Sequence, residues 1–275
     1  MAVTSDPLTP ARTLQPGTPL KTLRGYLTLA LILLALVLLD PVQRVFVAPW
    51  SRLAPPRRIR VYSRWQRFLA NGILRGIHLV GGAEIQAVPR IPGREGVLVL
   101  MNHQSVLDIP LVVSAIHGTY PRILTRKRYL RWIPLISHMI RLYKYPVVDP
   151  RANSEDTKRM LASIRDAARC SDVPLAIFPE GTRSKDGEIG RYRPTGLKLI
   201  LKQRPWTVYV LVADGFWQRA KLKDFLRGVG DIRGRLKLLG PFEWEDPRGD
   251  RDAFCEAMRQ HMVESLAALR EPDPA

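Results

Sequence analysis

The sequence predicts an α/β fold, a mixed, largely parallel sheet flanked by helices, with an N-terminal membrane-associated helical segment ahead of it. Three observations carry that prediction. From about residue 83 onward, short apolar runs of strand length alternate with longer segments of helical period. Near the N-terminus, Gly25 to Leu39 reads GYLTLALILLALVLL without a single charge. Hydrophobic residues make up 46% of 275 residues, enough for the packed core of one sizeable domain plus an appendage. The chain accordingly divides into a disordered lead-in over 1–20, a membrane-associated helical region over 21–82 and an α/β domain over 83–275.

The lead-in is rich in Pro and Thr and lacks apolar periodicity. The apolar run that follows is shorter than the roughly 20 residues a bilayer crossing needs. Asp40-Pro41 interrupts it, it resumes as VQRVFVAPW, and Pro49 and Pro55-Pro56 mark breaks. A cleaved signal peptide is the alternative, but no small-residue cleavage site follows the run, so a retained segment is the better reading. Next, RRIRVYSRWQRFLANGILRGIHLV has helical period. Arg60, Arg64, Arg67, Asn71 and Arg75 form one stripe, with Val61, Trp65, Phe68, Leu69 and Ile73 on another. That pattern fits a helix in the membrane interface, or else an ordinary surface helix. The basic residues after the apolar run outnumber those before it, which puts the following domain on the cytoplasmic side.

Within the α/β domain, Val97–Met101 reads as a buried strand, and Arg122–Thr125 and Tyr145–Asp149 as further candidates. Asn153–Arg169 reads as a helix, capped by Asn153 or Ser154, with Glu155 and Asp156 in its first turn. Leu175–Phe178 is a strand, Thr195–Lys202 a helix and Thr207–Val212 a strand. Leu236–Leu239 adds an edge strand, and Asp252–Leu269 closes the chain as an amphipathic helix.

Lys and Arg number 43 against 25 Asp and Glu, a net charge of +18, which calls for an anionic partner such as nucleic acid, anionic lipid or a phosphorylated substrate. Nucleic acid leaves the apolar segment unexplained, and no zinc-finger, homeodomain or RNA-binding signature accompanies the charge, so no nucleic-acid partner is expected. An anionic membrane surface is. The two cysteines, Cys170 and Cys255, form neither a disulfide framework nor a zinc signature, and no metal site is expected.

Chemistry concentrates in two motifs. The first strand runs into NHQSVLD, Asn102 to Asp108. A His leaving a strand end with an Asp five residues on can fold back so that the carboxylate fixes one imidazole nitrogen and leaves the other as a base. The same residues also match a capping box from Ser105 to Asp108, or Asp108 as a simple helix cap. The second motif, PEGTRS from Pro179 to Ser184, follows strand LAIF. Its Gly turn exposes backbone N–H groups, Thr182 and Ser184 offer hydroxyls, and Arg183 offers a planar fork for phosphate. Taken alone it could be a polar loop with an Arg–Glu pair.

Together the motifs resemble the PlsC-type glycerolipid acyltransferase family, whose 1-acylglycerol-3-phosphate acyltransferases carry N-H-x-x-x-x-D and F-P-E-G-T-R-S blocks; both stand intact here, at Asn102–Asp108 and Phe178–Ser184. The resemblance runs over about residues 60–245, including KRYLRWIPLI and RYRPTGLKLIL. It departs at YPVVDPR, where Pro150 takes the place of an Arg and Arg151 follows one position late, and in VYVLVADGF, which lacks the family's Pro.

The resemblance implies that His103 takes the proton from an acceptor hydroxyl attacking an acyl thioester, and that Asp108 orients the imidazole. Gly181 and Thr182 are implied as oxyanion donors, Arg183 as the acceptor-phosphate ligand, and Glu180 as a group orienting it or touching the glycerol. Arg151 and Lys127 are secondary phosphate ligands. Acyl-CoA or acyl-carrier protein is implied as co-substrate, with no cofactor beyond it, and a membrane lipid as acceptor. The expected reaction yields phosphatidic acid from 1-acylglycerol 3-phosphate. Other lysophospholipids, amino-acid-headed lysolipids and glycerol 3-phosphate remain alternative acceptors. A thioesterase, which would leave PEGTRS without a purpose, and a non-catalytic basic membrane-binding protein are further alternatives.

Overall fold

The computed structural model describes residues 18–149 and 153–271. Most of the expected lead-in, and Arg151, lie outside them. Helix α1 begins inside the expected lead-in, at Pro19, with the Thr18 hydroxyl capping the Lys21 N–H (Pro19–Val42). It does not end at Asp40-Pro41. A wider π-type turn (Gln43–Val47) leads straight into α2 (Ala48–Leu53), giving one 35-residue helical run. Prolines inside a helix remove a donor and crowd the preceding turn. Here the π turn takes up the misfit, and Pro49 falls in the first turn of α2, where its N–H is not needed. Two further bonds hold the joint: the Asp40 carboxylate accepts from distant Leu135 N at 2.8 Å and from Arg44 Nε, one turn on, at 2.8 Å. Only Pro55–Pro56 ends the run, and α3 (Arg58–Gly76) folds back from there.

α3 uses its stripe differently from the interfacial reading. Arg67 donates to the Ile116 carbonyl at 2.5 Å and lies 3.1 Å from His117 Nδ1, and Asn71 accepts from the Ser114 hydroxyl at 2.8 Å. Those two face the protein, as does buried Leu69, while Arg60, Arg64, Arg75 and Phe68 stay exposed.

The domain proper follows as β1 (Glu84–Ile85), β2 (Ile91–Pro92), β3 (Val97–Met101), α4 (Asp108–Ala115), β4 (Ile116–His117), β5 (Arg122–Ile123), β6 (Thr125–Arg126) and α5 (Ile136–Leu142). After β7 (Val147–Val148) come α6 (Ser154–Arg169), β8 (Leu175–Ile177), α7 (Pro194–Leu201), β9 (Trp206–Asp214), α8 (Leu222–Gly228), β10 (Arg233–Trp244) and α9 (Arg251–Arg270). The main sheet has six strands in the order β1-β10-β9-β3-β8-β5. β9, β3, β8 and β5 run parallel, while β10 joins β9 antiparallel. The sheet is therefore mixed and largely parallel, as expected.

Several strand readings change in extent, Thr207–Val212 among them, which lengthens to Trp206–Asp214. The Leu236–Leu239 strand lengthens to Arg233–Trp244, and it is not the edge, because two-residue β1 pairs outside it. Arg122–Thr125 splits: β5 joins the main sheet, whereas β6 pairs only with β7, the remnant of Tyr145–Asp149.

β3 explains why the centre of the sheet holds. All five residues of VLVLM are buried. Val97, Val99 and Met101 face one core with Ile77, Leu111 and Leu211, and Leu98 and Leu100 face the other with Ile164, Leu197 and Met262. A continuous apolar run is what a strand covered on both faces requires. Helices α3 and α4 cover one side; α6, α7 and α9 cover the other.

Candidate active site

Two neighbouring parallel strands, β3 and β8, end side by side, and both motifs start there. In open α/β sheets ligands bind beyond the carboxyl ends of the strands. Asn102, the first residue past β3, is buried and spans to β9: its amide donates to the Ala213 carbonyl and accepts from the Ala213 N–H, both at 2.8 Å. That double bond fixes the direction in which His103 leaves the strand.

The His103 ring is held from two sides. Its Nδ1 lies 2.7 Å from Asp108 Oδ2, and its face stacks on Phe178 with centroids 4.3 Å apart. Asp108 is completely buried, and the same Oδ2 accepts the Gln104 and Ser105 N–H groups at 2.7 and 2.8 Å. The two sequence readings of Asp108 thus merge. The carboxylate stands at the start of α4 but ties down the turn ahead of the helix together with the imidazole. Ser105 accepts from Leu107 N at 2.9 Å rather than closing a capping box. With Nδ1 engaged, Nε2 is the nitrogen left for a substrate proton.

The two motifs are stitched into one unit. Glu180 Oε1 accepts from His103 N, and its Oε2 from Gly190 N, both at 2.9 Å. Ser184 N donates back to the His103 carbonyl at 2.7 Å. Glu180 is buried, and burial pushes its carboxyl above the usual carboxylate range, partly offset by those two N–H donors. Both of its oxygens serve the protein's own backbone.

Gly181 turns the chain with φ 65°, in the left-handed region that a Cβ disfavours, and an added Cβ would press on Arg193 Cδ at 3.1 Å. Its N–H is taken by the Phe178 carbonyl at 2.9 Å. Thr182, the next residue, stands exposed at the tip of the turn. Half-buried Arg183 donates to the Ala220 carbonyl at 3.2 Å, which anchors the guanidinium at one corner. Lys127 is not gathered into this group, because its ammonium pairs with Asp149 at 3.2 Å and Asp156 at 3.8 Å.

Several residues at the site escaped the sequence reading. Arg126 donates to the Gly181 carbonyl, and Arg193 stands against the same glycine, so the turn carries a cationic fringe. The signal available was basic residues flanking an otherwise recognisable block. Gln104 reaches the Gly187 carbonyl, Asp214 Oδ1 and the Phe216 N–H, each at 3.2 Å. Arg270, the last residue of α9, binds both Asp214 oxygens at 3.2 Å and the Gly187 carbonyl at 2.9 Å. No local pattern announces a clamp between positions this far apart. Among the described residues, no group of three His, Cys, Asp or Glu side chains is placed to hold a metal ion.

The family model described as Acyltransferase matches residues 82–212, which takes in both motifs. A 1-acyl-sn-glycerol-3-phosphate acyltransferase of Cocos nucifera is 29% identical over 62% of this chain and 51% of its own length. The chain therefore spans about half of that relative. A protein of the same name from Limnanthes douglasii is 26% identical over 83% of this chain and 76% of its own length. The crystal structure of PlsC, the 1-acyl-sn-glycerophosphate (LPA) acyltransferase of Thermotoga maritima, superposes with a TM-score of 0.66, covering 93% of this chain and 97% of that one at 19% identity. Fold, paired motifs and these likenesses agree: residues 82–212 form an Acyltransferase-family domain, and the chain has the PlsC fold.

Proposed function

We propose that this protein transfers a fatty acyl group from an acyl thioester, acyl-CoA or acyl-carrier protein, to the free hydroxyl of 1-acylglycerol 3-phosphate, giving phosphatidic acid. The observation that carries the reading is the His103–Asp108 pair, seated at the ends of β3 and β8 against the Arg-bearing turn 180–184. The names of the relatives supply the acceptor.

In this reading His103 Nε2 takes the hydroxyl proton as the oxygen attacks the thioester carbonyl. The imidazolium formed is stabilised by buried Asp108, and general-base help of this kind is worth about 10²–10⁴ in rate. The oxyanion of the tetrahedral intermediate is met by the turn's backbone, with Thr182 N–H foremost. Collapse expels the thiolate, which recovers the proton from His103. No protein nucleophile is required, because the acceptor hydroxyl stands where a serine would in a triad. Arg183, with Arg126 and Arg193 beside it, holds the acceptor phosphate. Glu180 acts at one remove by aiming His103 and closing the turn.

Lipid acceptor and product suit a site at a membrane surface. Along the first helical run Gly25, Thr28 and, in the π-type turn, Gln43 are buried against the domain, while Leu23, Leu27, Leu31, Leu34 and Leu38 are exposed. A helical run held to its own domain at Gly25, Thr28 and Gln43 suits a seat in the interface over a crossing of the bilayer. The positive flank supports a cytoplasmic setting for the domain in this reading.

The test is transfer from labelled acyl-CoA to 1-acylglycerol 3-phosphate in detergent micelles. Wild type turns over, and His103→Ala loses at least about a hundredfold while keeping its circular dichroism spectrum. Equal turnover by both would remove His103 from the base role. A different acceptor is the second reading, favoured by Lys127 being tied to Asp149 and Asp156 rather than joining the phosphate fringe. A panel of lysophospholipids and glycerol 3-phosphate separates the two.

A further inference from the structure

Between the helical turn at Lys127–Leu130 and α5, the backbone does something costly. Trp132 and Leu135 both take positive φ, 72° and 63°, where a Cβ crowds its own carbonyl. Such conformations persist only where surroundings over-determine them, and they gather at ligand clamps. Here the first helix does the fixing. Asp40 accepts the Leu135 N–H at 2.8 Å, and Gln43 donates to the Leu135 carbonyl at 3.1 Å while receiving the Trp65 indole N–H at 2.9 Å. The Ser137 hydroxyl accepts Ile133 N at 3.1 Å and donates to the Tyr129 carbonyl at 3.0 Å.

What this rigid loop presents is Trp132, 95% exposed, an indole the fold does not use. Beside it lies an open hollow of about 410 Å³ walled by Arg44, Arg131 and Arg141. Asp40 is the acidic group in the lining, already paired with Arg44 at 2.8 Å. Arg141 gives one N–H to the Leu130 carbonyl at 2.8 Å and keeps others, and Arg131 is exposed. Next to the hollow, His138 registers the local field. Burial first, then Arg44, Arg141 and Arg52, hold its imidazole below the ordinary value, against an opposing effect of Asp40.

We infer that this hollow binds the phosphate headgroup of an anionic bilayer lipid, as a second lipid site apart from the His103 centre, with Trp132 seated at headgroup depth. Arg forks match phosphate oxygens in pairs, and an indole with one apolar and one hydrogen-bonding side settles at the membrane–water boundary. The wall residue Arg44 sits on a helical run whose neighbours Val37, Leu38, Val45 and Phe46 are exposed apolar side chains, so the hollow borders the lipid-facing surface. A free phosphate ion would satisfy the arginines but leave the strained, outward Trp132 without a purpose. The inference rests on the membrane-surface reading above.

Flotation of the full chain with vesicles tests it, using phosphatidylcholine alone and phosphatidylcholine doped with phosphatidylglycerol. Wild type should favour the anionic vesicles, and Arg131→Gln/Arg141→Gln should lose that preference by about five-fold per arginine while still floating with phosphatidylcholine. Arg131→Gln alone, a change at an exposed side chain, should show a single step. Trp132→Ala should weaken binding to both compositions. Lys158→Gln/Arg165→Gln, the same charge change on exposed positions of α6, should leave the preference intact. If the hollow's variants keep the preference, or the α6 variant loses as much, the inference fails and the membrane reading stands. If wild type floats with neither composition, both fail. Inorganic phosphate that abolishes the preference, where chloride of equal ionic strength does not, would replace the lipid headgroup by a free anion and overturn the assignment.

Discussion

Asp108 Oδ2 takes three N–H donors at once, the His103 ring and the backbones of Gln104 and Ser105. The five-residue spacing made the His–Asp pairing readable in advance, because few turns out of a strand bring those side chains together. Glu180 was not readable in the same way. A carboxylate after a strand looks like a solvated loop residue, and only the approach of His103 and Gly190 buries it. Its carboxyl is raised by burial, less the pull of two N–H donors, so the sign of its linkage is fixed. The folded value lies above the unfolded one. The contribution is complete below the ordinary value of 4.5 and is lost as pH rises through the folded value. Glu180→Gln should therefore destabilise more at about pH 4 than at pH 7. Its amide NH₂ would also oppose one of the two N–H donors, a cost of about 1–3 kcal/mol. Denaturant unfolding at the two pH values measures the gap, and a gap that widens with pH would contradict the assignment. Activity should fall along with stability, since only one of His103 N and Gly190 N keeps an acceptor and the two motifs are less firmly joined.

The elements read from sequence differ in how far tertiary contacts shape them. Val97–Met101 and the Ser154–Arg169 helix stand almost as expected, because a buried run and a capped amphipathic pattern each specify themselves. β10 was glimpsed only as Leu236–Leu239, since its alternation of exposed and buried residues is broken by Gly240-Pro241. The first helix misled most. Pro41 and Pro49 read as breaks, yet Leu135 and Trp65 bridge the joint from outside the local sequence. A second distant contact fixes its other end. Gly25 packs so closely on α8 that an added Cβ would sit 2.0 Å from the Leu226 carbonyl oxygen. Gly25→Val should cost about 1–3 kcal/mol by forcing the helices apart. Thermal unfolding in detergent checks this, and an unchanged midpoint would mean that α1 is only loosely seated there.

At the scale of the whole molecule, the proposed membrane seat would draw on both the positive charge and the exposed apolar face of α1. Leu34 and Leu38 are 53% and 59% exposed and outward-facing, so Leu34→Glu/Leu38→Glu should release the protein from membranes with little change in unfolding. Fractionation with and without detergent reads the result, and full retention would shift the anchoring to other surfaces. The strand order has a consequence for how such a molecule is made. β3 lies between β8 and β9, so VLVLM leaves the ribosome long before either partner, and β9 is complete only at Asp214. The Arg270 clamp on Gly187 and Asp214 arrives later still. During that interval the nascent chain carries an oily helix and an unpaired central strand together, the state in which aggregation competes with folding. Early docking of α1 on lipid would shelter one of the two while the other waits for its neighbours.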